Sequence, residues 1–432
     1  MAGEWSELPV GDIADIVGGS TPSTADAANF GGDVPWLTPK DLSGLHTRYI
    51  RRGERNLTPQ GLASCSAQLL PPNSVMLSTR APIGYVAIAA NPIATNQGFR
   101  SLVLKPGYDP EFIYYWLTAN VGELKRHGSG STFGELSGSS LKKIRIRLPS
   151  DLYEQRAIAH ILGALDDKIE LNRRISETLE QIARALFKSW FVGFDPVRAK
   201  AEGRDPGLPS EIADLFPDSL EESEPREIPK GWRAAPLPDA IDVNPARVLR
   251  KGDVAPYLDM ANMPTRGHSP DIVIQREFGS GMRFINGDTL VARITPCLEN
   301  GKTAYVDFLE DGQVGWGSTE YIVLRPKPPL PTEFAYCLAR SPELRDFAIQ
   351  SMTGSSGRQR VPAESLSHFV VALPPSSIAE LFGRLIKPLF ATASVATMES
   401  RTLVVLRDAL LPKLISGELR MPDVERIVHR AD

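Results

Sequence analysis

Residues 299–303, Glu-Asn-Gly-Lys-Thr, carry the closing letters of a phosphate-cradling loop. Such a loop needs a glycine five positions before Gly301, so that backbone amides can approach the phosphates; that position is Pro296. The cradle is missing. Val-Asn-Pro-Ala-Arg at 243–247 is not the Asn-Pro-Pro-aromatic signature of an amino-methyltransferase. The six histidines (46, 127, 160, 268, 368, 429) are scattered without ligand spacing. Cys65, Cys297 and Cys337 are isolated and form neither a zinc site nor a disulfide framework, which suits a reducing cytoplasm. Asp-Asp-Lys-Ile-Glu at 166–170 looks faintly nuclease-like, but it falls on a helical stripe, where its charges read as a wet face. The residues point to no catalysis and no bound metal.

Composition bounds what remains. A chain of 432 residues, 42% hydrophobic and 23% charged, fits two or three soluble domains. Its net charge of −4 is unevenly placed. Between Asp205 and Glu224 there are seven acids and no base, with prolines at 206, 209, 217 and 225, which predicts an exposed linker. The rest is close to neutral, with basic stretches at Lys40–Arg55 and Lys142–Arg147 that suit phosphates or plain solvation equally. The text shows neither a membrane-length apolar run nor a signal-peptide core, so no membrane span is expected.

The strongest pattern is positional. Ile158, Leu162, Leu165, Ile169, Asn172, Ser176, Leu179, Ala183 and Leu186 alternate by steps of four and three, a heptad seam with a polar dip at its centre. Ile161, Ile175 and Ile182 widen the stripe. Asp151 and Glu154 supply a capping box, and Gly193 with Pro196 supplies the stop. A rod of about 40 residues would be about 60 Å long.

Adding 224 to that seam lands on Phe382, Ile386, Leu389, Ala393, Ala396, Ser400, Leu403, Arg407 and Leu410, with Arg407 the misfit. Ser377 and Glu380 offer a second capping box, and Pro388 predicts a kink or a break. Upstream text repeats too: Trp5 finds Trp232, and the run near residue 75 finds that near 288, placing Arg80 and Arg293 at equivalent positions. The fold expected is α+β: two tandem mixed α/β domains (1–150 and 227–375) and two long antiparallel coiled-coil helices (151–194 and 376–418) related by a pseudo-two-fold repeat. An acidic linker (195–226) and a tail (419–432) complete the chain.

The opening "WSELPVGDIADIVGGSTP", the approach "GSGSTFGELSGSSLKKIRIRLP", the rod from "LYEQRAIAHIL" to "FVGFDPVRAK" and the closing "LRDALLPKLISGEL" together resemble the specificity subunit of type I restriction-modification systems. The resemblance implies two target-recognition domains, each reading half of a split, asymmetric site in double-stranded DNA, with the rods as spacer. It implies two methyltransferase subunits docked on the rods and restriction subunits beyond them. S-adenosylmethionine, ATP and Mg would belong to those partners, in the cytoplasm, and this chain would catalyse nothing. The rival reading is a coiled-coil adaptor whose heads bind proteins.

If the heads read DNA, bidentate side chains in loops must do it. In the first domain these are Lys40, Arg80, Asn96 and Gln97, with Ser131 and Thr132 in the Ser/Gly loop before the rod. In the second they are Arg293, Asn300, Lys302 and Glu320, with Arg358 and Gln359 in the corresponding loop. The partner-facing seam would comprise Ile158, Leu162, Leu165, Ile169, Leu179, Leu186, Phe382, Ile386, Leu389, Leu403 and Leu410.

Overall fold

The computed structural model describes residues 4–128, 134–224, 226–270, 272–355 and 357–420. Two compact units divide the chain, one holding residues up to Leu171 together with those from Thr402 onward, the other Asn172–Arg401. Both dividing points lie inside long helices, Leu152–Phe187 and Ser376–Ser416.

Among the described residues, unit 1 is built on a five-stranded sheet in the order Ala14–Gly18, Phe99–Leu104, Val75–Thr79, Ile83–Ala89, Tyr49–Ile50. Its partners are antiparallel except for the last pair. Helix Pro110–Ala119 covers the sheet; Asp109 caps it by accepting from the Phe112 N–H, and Pro110 presets its first turn. The basic run at 142–147 ends in the strand Arg145–Pro149, paired with Trp5–Pro9. Period-two alternation buries Ile146 and Leu148 and turns Arg145 and Arg147 outward.

Unit 2 holds two four-stranded sheets. One runs Ile241–Val243, Tyr321–Pro326, Thr289–Ala292, Thr303–Tyr305; the other runs Ile274–Glu277, Val254–Leu258, Gly315–Gly317, Met282–Phe284. Arg233–Pro236 pairs with Val370–Leu373, as Trp5–Pro9 does with Arg145–Pro149 in unit 1.

The long helices pack antiparallel within each unit. In unit 1, Ile158 and Leu162 are buried with Leu414 and Ile415. Arg407 donates from Nη1 to Asp166 Oδ1 at 2.9 Å, and Asp166 Oδ2 accepts from the Tyr115 hydroxyl at 2.7 Å. The misfit arginine is therefore an interhelical tie. The 166–170 charges are not the wet face expected, because Asp166 and Glu170 are largely buried and only Asp167 and Lys168 are exposed. In unit 2, Asn172 Nδ2 donates to Glu399 Oε2 at 2.8 Å and Ser176 Oγ to the Ala393 carbonyl at 3.1 Å, so the polar dip joins the helices. Phe187, Trp190 and Phe191 then surround Phe382, the closest centroids 4.8 Å apart. Phe382 and Ile386 are fully buried, while Leu165, Ile169, Leu179, Leu186, Leu389, Leu403 and Leu410 are half-buried. Ile182 is half exposed, so the widening stripe does not reach it.

Four expectations need correction. Pro388 does not break the second helix, which runs unbroken from Ser376 to Ser416. Pro388 and Arg384, whose carbonyl loses its donor, both lie on the exposed face, where water can serve that oxygen. This helix begins at Ser376, so Ser377 is already inside its first turn rather than capping it. At the first helix, Asp151 accepts from the Tyr153 N–H, but Glu154 turns away to the Trp5 indole N–H at 3.2 Å, so no reciprocal box closes. Finally, the acidic stretch is not a free linker: helix Asp195–Ala201 buries Val197, and Phe216 stands edge-on to Trp190 at 4.9 Å.

One 18-residue window of the second long helix has a mean hydropathy of 1.2, enough to cross a membrane by length and composition only. The exposed Val395, Met398, Val405 and Leu406 contribute to it.

Candidate nucleic-acid interface

The same backbone junction closes the sheet in each unit. In unit 1, the Thr79 N–H donates to the Gly98 carbonyl (2.8 Å) and the Thr79 carbonyl accepts from Leu136 (3.0 Å), while Arg80 bridges to Glu135. In unit 2, the Arg293 N–H donates to the Glu320 carbonyl (3.0 Å) and the Arg293 carbonyl accepts from Val361 (2.9 Å), while Ile294 bridges to Arg360. Thr79 therefore answers to Arg293, and Arg80 to Ile294. The expected equivalence of Arg80 and Arg293 is wrong by one residue. In extended chain that slip sends the two side chains to opposite faces.

Around the first junction, several loops meet. The Asn96 N–H donates to the Leu37 carbonyl (2.8 Å), and a Cβ added at Gly98 would lie 2.8 Å from Pro39. Lys40, Arg80, Asn96 and Gln97 thus gather on one rim. Their side chains are not equally free. Asn96 Oδ1 accepts from the Gly98 N–H (2.9 Å), Gln97 Oε1 accepts from the Thr21 hydroxyl, and Lys40 pairs with Glu54 in solvent at 2.9 Å. Arg80 is exposed. Ser131 and Thr132 lie outside the described residues.

At the second junction, Arg293, Glu320 and Gln359 come together, the last accepting from the Thr295 N–H, with Arg358 exposed on the same loop. Asn300 is exposed on the following turn. Lys302 turns inward instead, its ammonium donating to the Met260 and Ala261 carbonyls, so it fixes the turn rather than facing outward. Arg340 completes that anchorage through the Thr265, Gly267, Gly301 and Thr303 carbonyls.

Sequence reasoning missed Arg360. Its Nε donates to both Glu320 oxygens at 2.9 and 3.0 Å. The signal was its place beside Arg358 and Gln359. Arg48 belongs to a basic stretch that suited phosphates or plain solvation equally, yet its side chain is only 9% exposed. It donates to the Gly163 carbonyl (3.1 Å) and pairs with Asp167 (3.0 Å) on the first long helix, with Glu111 at 3.6 Å. Although burial alone would lower its pKa, the Asp167 and Glu111 carboxylates keep the guanidinium firmly charged. Gly163, the single glycine of the helix Leu152–Phe187, is where Arg48 docks; a Cβ there would meet Nη2 at 3.2 Å. Of the other basic stretch, Lys143, Arg145 and Arg147 line a cleft of about 670 Å³ with Glu7, Asn120 and His127. Arg145 is already paired with Glu7 at 2.9 Å, and Arg147 lies over the Trp5 ring.

Glu154 and Gln155 are buried staples. Gln155 Oε1 accepts from the Asp109 N–H (2.9 Å) and its Nε2 donates to the Pro149 carbonyl (2.9 Å). At the corresponding start of the second long helix stand Ile378 and Ala379, both apolar and fully buried. The Trp232 indole N–H accordingly finds no acceptor among the described residues.

An α+β chain with two such rims and paired long helices belongs to a defined class. The family model described as "Type I restriction modification DNA specificity domain" matches residues 2–181. The MjaIX specificity subunit of Methanocaldococcus jannaschii is 34% identical over 98% of this chain and 95% of its own length. The HindI specificity subunit of Haemophilus influenzae is 26% identical over 74% of this chain and 80% of its own. The crystal structure of the S subunit from M. genitalium shares the fold, with a TM-score of 0.58 at 16% identity, covering 95% of this chain and 96% of that one. This chain is a member of the type I restriction enzyme specificity subunits.

Proposed function

We propose that this chain is the non-catalytic specificity subunit of a type I restriction-modification complex, and that each head reads one half of an asymmetric, bipartite site in double-stranded DNA. The observation that carries the reading is one backbone junction formed in both units with unlike side chains around it. A shared frame with different letters is what two halves of an asymmetric site require. The paired long helices act as the spacer between heads related by a pseudo-two-fold repeat.

Two methyltransferase subunits dock on those helices, and restriction subunits join them; S-adenosylmethionine, ATP and Mg are bound by these partners. The exposed apolar residues of the second helix, Val395 and Met398 in unit 2 and Val405 and Leu406 in unit 1, are candidate docking positions. The complex works in the cytoplasm, in keeping with three free cysteines. An adaptor with protein-binding heads is disfavoured by family membership over nearly the whole chain.

Methylome sequencing of cells expressing this chain with its methyltransferase subunits tests the proposal. The expected result is a methylated adenine motif split into two unlike halves by a fixed gap. A continuous or palindromic motif would sink it.

A further inference from the structure

Bond-for-bond equivalence of the two junctions brings one pair of residues into correspondence: Glu135 in unit 1 and Arg360 in unit 2. Their charges are opposite, and each faces a side chain of the other sign. Glu135 is 39% exposed and faces Arg100 Nη2 at 3.6 Å, with exposed Arg80 bridged to it. Arg360 is 43% exposed and is gripped by Glu320, whose other flank faces Arg293 at 3.9 Å. At the position of Glu320 unit 1 has Gly98, which brings no side chain. The frame is kept and the charge at this one position is inverted.

The guanidinium geometry adds to this. Arginine has five N–H donors. On Arg360, Nε and Nη2 are held by Glu320 (2.9–3.0 Å), and Nη1 reaches the Arg358 carbonyl at 3.3 Å. One N–H on each terminal nitrogen remains, a planar fork already oriented by its carboxylate. Such a fork matches the O6 and N7 acceptors of guanine in the major groove, whereas a carboxylate at the same place accepts from the N4 amino group of cytosine.

Resting on the DNA-reading role proposed above, we infer that this junction position is a base-discriminating one: Arg360, positioned by Glu320, selects guanine in one half-site, and Glu135 selects cytosine in the other. Both residues fall outside the candidates legible in the sequence.

The test uses the full chain assembled with its methyltransferase subunits and a duplex library randomised across both halves of its site, from which bound molecules are sequenced. With Arg360→Ala, preference for guanine at a single base pair of one half should fall on the order of 5- to 150-fold, the other half staying intact. Glu320→Gln should weaken the same base pair less. Glu135→Gln should relax one base pair of the opposite half. Because Arg360→Ala could unfold the head, Arg360→Lys is run alongside; it keeps the charge, loses the fork and should flatten the same base pair. Unchanged enrichment with either Arg360 variant, flattening spread over a whole half, or loss of all duplex binding by both variants overturns the assignment. A wild-type complex that enriches no sequence is a different result: it removes the DNA-reading role itself.

Discussion

Gly163 and Arg48 show how a single residue's role can stay hidden in the text of a sequence. A glycine inside a helix gives up about 1 kcal/mol relative to alanine, so its presence calls for a local cause. That cause is the Arg48 guanidinium lying against it and bonding its carbonyl. A double-mutant cycle in thermal denaturation should therefore show coupling. In an Arg48→Ala background, Gly163→Ala should stabilise by about 1 kcal/mol, while in the wild-type background the gain should shrink or reverse because the arginine must move. Equal gains in both backgrounds would detach the glycine from the arginine. Gln155 makes a second case at this scale. Its amide satisfies the Asp109 N–H and the Pro149 carbonyl from a side chain 1% exposed, so Gln155→Ala should cost about 1–3 kcal/mol in a denaturant titration. The letters Glu-Gln could be seen in the sequence as part of a family signature; their work as staples could not, because both partners lie elsewhere in the chain.

At the scale of elements, the long helices were the most legible feature, since a sustained step of four and three leaves few alternatives. Even the polar dip was visible, although its reading as interhelical hydrogen bonds needed the partner strand of helix to be placed. The aromatic cluster that closes unit 2 was not foreseen, being assembled from Phe187, Trp190, Phe191, Phe334 and Phe382 on three separate segments. Phe382→Ala should lower stability by about 3–5 kcal/mol in chemical denaturation, more than truncating half-buried Leu389. The junction equivalence failed for a different reason. Repeated text that carries insertions fixes a register only to within a residue, and hydrogen bonds decide the remainder. Arg80 and Arg293 looked like partners because each follows the corresponding strand of the repeat, yet one stands two residues before Pro82 and the other three before Pro296.

For the whole molecule, membership of the type I specificity subunits directs attention to the surfaces its long helices leave exposed. Val395 and Val405 are 67% and 70% exposed on the second long helix. Replacing either by Glu should leave the melting temperature of the isolated chain unchanged and reduce co-purification with methyltransferase subunits; intact co-purification would clear that face of a docking role. The other consequence concerns synthesis. Trp5 lies beneath Arg420 and closes on Gly417, and Leu414 and Ile415 share a core with Val10 and Ile13. Unit 1 thus joins two segments separated in the chain by the whole of the other unit, which is drawn from one uninterrupted stretch. On a ribosome the uninterrupted unit can close before unit 1 does, and a frameshift ahead of Leu414 would injure the core around Val10 and Ile13.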